Sequence, residues 1–185
     1  MEILNLVLKT LYLLLPVYLA NMFAVLSSRW SFLSSLNKPI DSGKNFGQRR
    51  LLGDGKTWRG LVVGFMIGTI IVIIQICLYS FESFRNISLI NYAAVNWLWL
   101  SLISGLGPLL GDLIASFFKR RLNFERGAPL PFVDQWDFIT SYFLLLALVS
   151  NLDWNIVIAG YLLTLIIHPL SNIIAYFLKI KKVWW

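Results

Sequence analysis

Apolar runs of roughly membrane-spanning length recur along this chain, and that recurrence restricts its fold more than any other feature. A helix rises ~1.5 Å per residue, so about 20 apolar residues are needed to cross a ~30 Å hydrocarbon core. Five segments approach this requirement: Ile3 to Leu26, Gly60 to Tyr79, Tyr92 to Phe118, Asp137 to Leu152 and Ile156 to Leu178, the fourth being the shortest. Over 185 residues the chain is 58% hydrophobic and 14% charged, with mean hydropathy +0.72, which excludes a soluble globular domain. The expected fold is an all-α integral membrane protein with five transmembrane helices, forming a single domain over residues 1–185. The first segment, with Glu2 and Lys9 on its early turns, is too long and wrongly flanked for a cleaved signal peptide and is expected to remain as a helix. Pro16 is expected to kink it, because proline removes a backbone donor and crowds the preceding turn.

Basic residues set the expected orientation. Arg29, Lys38, Lys44, Arg49, Arg50, Lys56 and Arg59 lie between the first two segments, Lys119, Arg120, Arg121 and Arg126 between the third and fourth, and Lys179, Lys181 and Lys182 in the tail. Only Lys9 and Arg85 fall on the other side. The positive-inside rule then puts the N-terminus outside and the C-terminus in the cytoplasm, which five spans satisfy. Tryptophan prefers the interfacial layer, and Trp97, Trp99 and Trp154 fall at expected outer ends, with Trp30, Trp58, Trp136, Trp184 and Trp185 at inner ends. The net charge of +7 is accounted for by this topology and by attraction to anionic headgroups, so it does not require nucleic acid. The single Cys77 has no disulfide partner and is expected to pack within the second helix.

Two glycine patterns bear on helix contacts. Gly60, Gly64 and Gly68 are spaced four apart on one face and allow close approach of another helix. In "SGLGPLLGDLIASFFKRR", Gly105, Gly107 and Pro108 predict a distortion just outward of Asp112. Broken helices are tolerated within a membrane where they line a cavity, so a polar cavity open to the cytoplasm is expected here.

Asp112 precedes Lys119 by seven residues, which puts it roughly 10 Å below the interface. A carboxylate at that depth needs a partner, a bound cation or a watery cavity, and its default meaning is functional. Asp134 and Asp137 share a face at the start of the next helix, where acids also serve as caps and dipole partners. Asp112, Asp134 and Asp137 together form an all-oxygen set suited to Mg²⁺. The stretch "GDGKTWRG" ends like a phosphate-binding P-loop, but that motif needs glycine where Arg50 stands, and a preceding strand that the chain lacks. The parts of an anion site persist: Gly53 and Gly55 allow a turn, Lys56 and Arg59 supply charge, and Gly60 opens a helix. A capped helix start bearing topology signals is the plainer alternative. Phosphate-binding cations beside carboxylates are the components of phosphoryl or nucleotidyl transfer between an aqueous phosphate compound and a lipid.

"GDLIASFFKRR" followed by "PFVDQWD" resembles the signature of the membrane CTP:phosphatidate cytidylyltransferases, the CDP-diacylglycerol synthases, with Gly111, Asp112, Ser116, Lys119, Arg120, Asp134 and Asp137 at the matching positions. Glu125 and Arg126 stand where that family has Lys-Asp, Gln135 replaces an Arg, and the His-Gly-Gly before the acidic pair is absent. These departures, the small size and the loop "NKPIDSGKNFGQRRLLGDGKTWRG" make the chain similar to the archaeal branch, the CDP-archaeol synthases, from Asn37 to Asp137. The resemblance implies transfer of CMP from CTP to an isoprenoid ether-lipid phosphate, 2,3-bis-O-(geranylgeranyl)-sn-glycerol 1-phosphate, with release of pyrophosphate and with Mg²⁺ as cofactor. It implies a multi-pass cell-membrane location with the site facing the cytoplasm. It further implies that Asp112, Asp134 and Asp137 hold metal, that Lys56, Thr57 and Arg59 bind triphosphate, and that Lys119 and Arg120 steady lipid phosphate or pyrophosphate. Asn37, Lys38 and Asp41 are candidates for reading cytosine and ribose, and Asp54 for accepting from the base amine or capping the second helix. His168 and Asn172, in the fifth segment, are read as packing and helix–helix hydrogen bonding. The competing readings are a CTP-dependent polyprenol kinase, which would move the γ-phosphoryl group, and a cation transporter using Asp112. A CDP-alcohol phosphotransferase is excluded because its acidic spacing is absent.

Overall fold

The computed structural model describes residues 2–125, 127–179 and 183. Arg126, Lys181, Lys182, Trp184 and Trp185, all used above for topology or motif, lie outside the described residues. The helices are α1 (Glu2–Leu26), α2 (Trp58–Leu78), α3 (Glu82–Ile87), α4 (Trp97–Arg121), α5 (Val133–Leu146) and α6 (Trp154–Phe177). A two-stranded antiparallel hairpin, β1 (Asn45–Phe46) and β2 (Arg49–Arg50), interrupts the segment between α1 and α2.

Among the described residues, four helical segments are long and apolar enough to cross a membrane: Glu2–Arg29, Trp58–Leu78, Trp97–Arg121 and Trp154–Phe177. The protein is therefore an all-helical membrane protein. The fourth expected span is represented by α5, whose 14 residues measure about 21 Å, well under the thickness of the hydrocarbon core. The turn after Leu146 takes up residues that the hydropathy pattern assigns to a crossing helix.

Gly64 and Gly68 let α2 pack closely on α1 and α4. A Cβ on Gly64 would lie 2.8 Å from the Ala20 carbonyl of α1 and 3.0 Å from Leu109 of α4, and one on Gly68 would lie 2.7 Å from the Gly105 Cα. The backbones approach so closely only because these side chains are missing. Gly105 and Gly107 thus have a different role from the one anticipated: α4 runs unbroken through Pro108, Gly105 admits Phe65 of α2, and Gly107 faces the Tyr142 backbone of α5.

Pro16 acts through hydrogen bonding. It cannot donate to the Tyr12 carbonyl one turn earlier, and the orphaned oxygen would be costly among apolar side chains. Gln75 of α2, 1% exposed, donates its Nε2 to that carbonyl at 2.6 Å, and its Oε1 accepts from the Tyr92 hydroxyl at 3.1 Å. The apolar core around this network comprises Leu13, Leu14, Val17, Phe138, Tyr142 and Leu146, among others. The α6 helix closes the far side, where Gly160 meets Phe143 and Thr164 Oγ1 lies 2.7 Å from the Tyr18 hydroxyl. His168 packs on Phe138 with ring centroids 6.0 Å apart.

Contacts between Gly60 and Ala24 and between Gly111 and Asp137 bring the end of α1, the start of α2, the end of α4 and the start of α5 to the same end of the bundle. The basic residues of the two long connections therefore lie together, while Lys9 and Arg85 belong to the opposite end. Trp97, Trp99 and Trp154, at the starts of α4 and α6, are exposed at that opposite end.

Candidate active site

The segment before α2 is organised by Asp41. Its buried carboxylate accepts from Arg50 at 2.7 and 3.3 Å, from the Leu52 and Gly53 amides at 3.0 Å each, and from the Gly43 amide at 3.1 Å. Burial alone would raise its pKa. The Arg50 guanidinium and the three amides outweigh that effect and hold the carboxyl well below the usual carboxylate range. Arg50 also reaches Asp54 at 2.8 Å. Asp41 and Asp54, considered above for base and ribose recognition, are thus engaged with the same arginine.

Beyond this knot the chain runs beside its own earlier part. The Ile40 amide donates to the Lys56 carbonyl at 2.8 Å and the Trp58 amide to the Lys38 carbonyl at 3.0 Å, with Pro39 bridged to Thr57. Asn37 and Lys38, both exposed, are carried alongside Lys56 and Thr57. Thr57 is the N-cap of α2, its hydroxyl accepting from the Gly60 amide at 3.2 Å. Arg59 is sent elsewhere. It is 3% exposed and donates to the Ser28 and Trp30 carbonyls at 2.9 and 2.8 Å, tying the start of α2 to the end of α1.

Lys56 pairs with Asp112 of α4. The pair faces a small open cleft, whose lining includes Ala24, Ile40, Thr57, Leu109 and Leu113. Polar groups thus meet apolar walls, the combination expected where an anionic headgroup and a lipid chain enter together.

The α4–α5 contact brings the remaining carboxylates close. Gly111 lies directly against the Asp137 carbonyl, so α4 and α5 touch backbone to backbone beside Asp112. Asp134 is directed to Lys119, whose ammonium donates to its two oxygens at 2.8 and 2.9 Å and to the Ala128 carbonyl at 2.6 Å. Its Oδ2 also accepts from the Leu130 amide at 2.9 Å. Arg120 donates to the Phe124 and Glu125 carbonyls at 2.6 and 3.4 Å, closing the turn after α4.

Among the described residues no three acidic, histidine or cysteine side chains converge as a ready-made metal cage. That suits Mg²⁺, which is ordinarily held by one or two carboxylates together with waters and substrate phosphates. Asp112 and Asp137 fit such a site; Asp134 is engaged by Lys119.

Sequence reasoning missed the contacts of Arg121. Arg121, at the end of α4, places its guanidinium 5.2 Å from the Phe46 ring centroid and 4.7 Å from that of Phe117, and it donates to the Arg49 and Arg50 carbonyls. A signal for the hairpin existed: Gly47 and Gln48 form a two-residue turn, and Gly47 has φ +65°, a left-handed value suited to glycine.

A helical bundle with lysine–aspartate pairs at one end, a lipid-facing surface and an apolar-walled polar cleft defines an intramembrane enzyme acting on a phosphate compound. The family profile described as "CarS-like: CDP-archaeol synthase" matches residues 3–185, and the chain belongs to that family. A CDP-archaeol synthase of Methanocaldococcus jannaschii is 37% identical over 182 residues, covering 98% of each chain. One from Methanosarcina acetivorans is 40% identical over 185 residues, covering 93% of this chain and all of that one. A solved structure described as "Structural insight into an intramembrane enzyme for archaeal membrane lipids biosynthesis" superposes with TM-score 0.69 at 30% identity, over 88% of this chain and 92% of that one.

Proposed function

We propose that the Lys56–Asp112 cleft is where this member of the CDP-archaeol synthase family transfers CMP from CTP to unsaturated archaetidic acid, 2,3-bis-O-(geranylgeranyl)-sn-glycerol 1-phosphate. The observation that carries this reading is the pairing of Lys56 with Asp112 at an apolar-walled cleft, with Asp137 of α5 packed against α4 beside Asp112. A lipid phosphate oxygen attacks the α-phosphorus of CTP; the new P–O bond forms as the α–β bridging bond breaks, and pyrophosphate leaves with the electron pair. The nucleophile is already an anion, so no general base is required.

Lys56 exchanges Asp112 for the triphosphate when CTP binds, supported by the neighbouring start of α2. Asn37 and Lys38, running beside Lys56 and Thr57, are placed to meet the nucleoside. Asp112 and Asp137 are the residues that would hold Mg²⁺, which when bound neutralises triphosphate charge and aligns the reacting groups. Asp134 and Lys119 act as a pair that fixes the start of α5. The apolar walls around Leu109 and Leu113 receive the isoprenoid chains.

The basic end of the bundle faces the cytoplasm of the cell membrane, where CTP is available. With that end inside, α4 descends to the cytoplasmic face and α6 begins at the outer one, so α5 and its flanking turns complete a fifth traverse. Residues 1–185 act as one transmembrane cytidylyltransferase domain.

Product analysis with labelled CTP tests the reaction. The α-label is expected in the lipid and the β- and γ-labels in pyrophosphate; a lipid carrying the γ-label would establish the kinase reading instead. In Mg²⁺-dependent CTP binding by the detergent-solubilised protein, Asp112→Asn and Lys56→Ala are expected to abolish the signal, and unaltered turnover in both variants would refute the site.

A further inference from the structure

Arg121 lies outside the proposed chemistry, yet it joins two parts of the protein that the chemistry depends on. Its guanidinium lies over both the Phe46 ring of the hairpin and the Phe117 ring of α4, which are themselves 6.0 Å apart and edge to face. The same guanidinium donates to the Arg49 and Arg50 carbonyls of β2. Arg50 in turn grips Asp41, and Asp41 accepts from the Gly53 amide, three residues before Lys56. The Lys56 amide then donates to the Gly53 carbonyl at 3.3 Å. A continuous series of contacts thus leads from the end of α4, through the hairpin, to the lysine that returns to α4 at Asp112.

We infer that the hairpin Asn45–Arg50 is a strap, and that Arg121, with Phe46 as its stacking partner, is a positioning residue that sets Lys56 for the triphosphate. This inference rests on the reading of the Lys56 cleft as the CTP site. Three features favour a positioning role over direct contact with substrate. The Arg121 Nη2 donates to backbone carbonyls, where a phosphate could not take their place without releasing β2. Contact with two rings together with donation to two carbonyls uses the guanidinium fork as well as its charge. Phe46 is 62% exposed, so little apolar burial would hold the hairpin down if the arginine were removed.

The experiment uses the full chain in detergent or liposomes, with KM measured separately for CTP and for the lipid phosphate. Arg121→Ala and Phe46→Leu are each expected to raise the CTP KM about tenfold, equivalent to ~1.4 kcal/mol, with the lipid KM unchanged. Arg121→Lys keeps the charge but loses the planar fork, and it is expected to resemble the alanine variant. Each variant is also expected to be cleaved by trypsin after Lys44, Arg49 or Arg50 faster than the parent, at unchanged helix content by circular dichroism. Restoration of the parental KM by Arg121→Lys would overturn the inference, because charge alone would then suffice. Faster cleavage with unchanged CTP KM would also overturn it, since the hairpin would be docked without positioning Lys56. Lys56→Ala serves as the control: if it leaves the CTP KM unaltered, the reading of the cleft fails and the inference with it. A response to Lys56→Ala with none to Arg121→Ala or Phe46→Leu removes the inference alone.

Discussion

Gly111→Ala places one methyl group at the closest approach of α4 and α5. Its Cβ would strike the Asp137 carbonyl, with the carbonyl carbon at 2.8 Å and Ser141 Cβ at 2.9 Å. Carbon atoms in ordinary contact sit about 3.5–4.0 Å apart, so the helices must separate by roughly 0.7 Å or more. The obstacle is backbone, and no rotamer change can relieve it. Overpacking of this kind costs about 1–3 kcal/mol in stability. The larger consequence is functional, because Asp112 and Asp137 flank the contact, and a displacement approaching 1 Å in a catalytic constellation costs about 10²-fold in rate. Initial rates of CMP transfer, normalised to protein that elutes as folded on size exclusion, are expected to fall by about two orders of magnitude. Gly160→Ala is the matched control, since its Cβ would meet the tip of the Phe143 ring at 2.7 Å, remote from the carboxylates. It is expected to lower the melting temperature while leaving normalised turnover unchanged. A Gly111→Ala enzyme with turnover within about threefold of the parent would show that the α4–α5 contact does not set the catalytic geometry.

Asp41→Asn is expected to destabilise the segment before α2 in a pH-dependent way. The folded carboxyl lies below its unfolded value of ~3.9, so its stabilisation is fully present above that value and is lost as pH falls through the depressed folded one. The gap in melting temperature between parent and variant should therefore be constant from about pH 8 to pH 5 and should narrow below about pH 4; a gap that widens on acidification contradicts the assignment. Gln75→Leu leaves the Tyr12 carbonyl without a donor and is expected to cost about 1–3 kcal/mol by thermal or denaturant unfolding, with turnover per folded molecule unaltered. An equally stable Gln75→Leu protein would mean that water or helix adjustment satisfies the oxygen freed by Pro16.

Much of the site could be anticipated because its residues act through type and spacing. Asp112 was conspicuous as a carboxylate in an apolar helix, and Lys56 stood between glycines at a helix start; the structure joins them. Arg59 was misread for a physical reason. In sequence it is another cation beside Lys56, and only the folded connection shows the Ser28 and Trp30 carbonyls that receive it. The same holds for Asp41, whose partners lie 2 to 12 residues away across a folded loop. Arg121 was read as a topology signal, because nothing local links it to Phe46 or to the Arg50 carbonyl 71 residues earlier.

Hydropathy alone determined that this chain is a helical membrane protein and which end of its bundle is basic. Both properties depend on sums over local segments, which folding does not alter. Spacing alone likewise determined that Gly64 and Gly68 would face a neighbour, because helical periodicity fixes which residues share a face. Tertiary structure decided which helices those glycines meet, that α4 passes intact through Pro108, and that α5 is only 14 residues long. It also divided the charged groups into two sets. Lys56 and Asp112 meet at the cleft, with Asp137 packed against α4 beside them, while Arg59, Asp41, Arg50 and Arg121 hold the surrounding chain. A charged side chain has the same sequence signature in either role, and only the identity of the group opposite it separates structural support from chemistry.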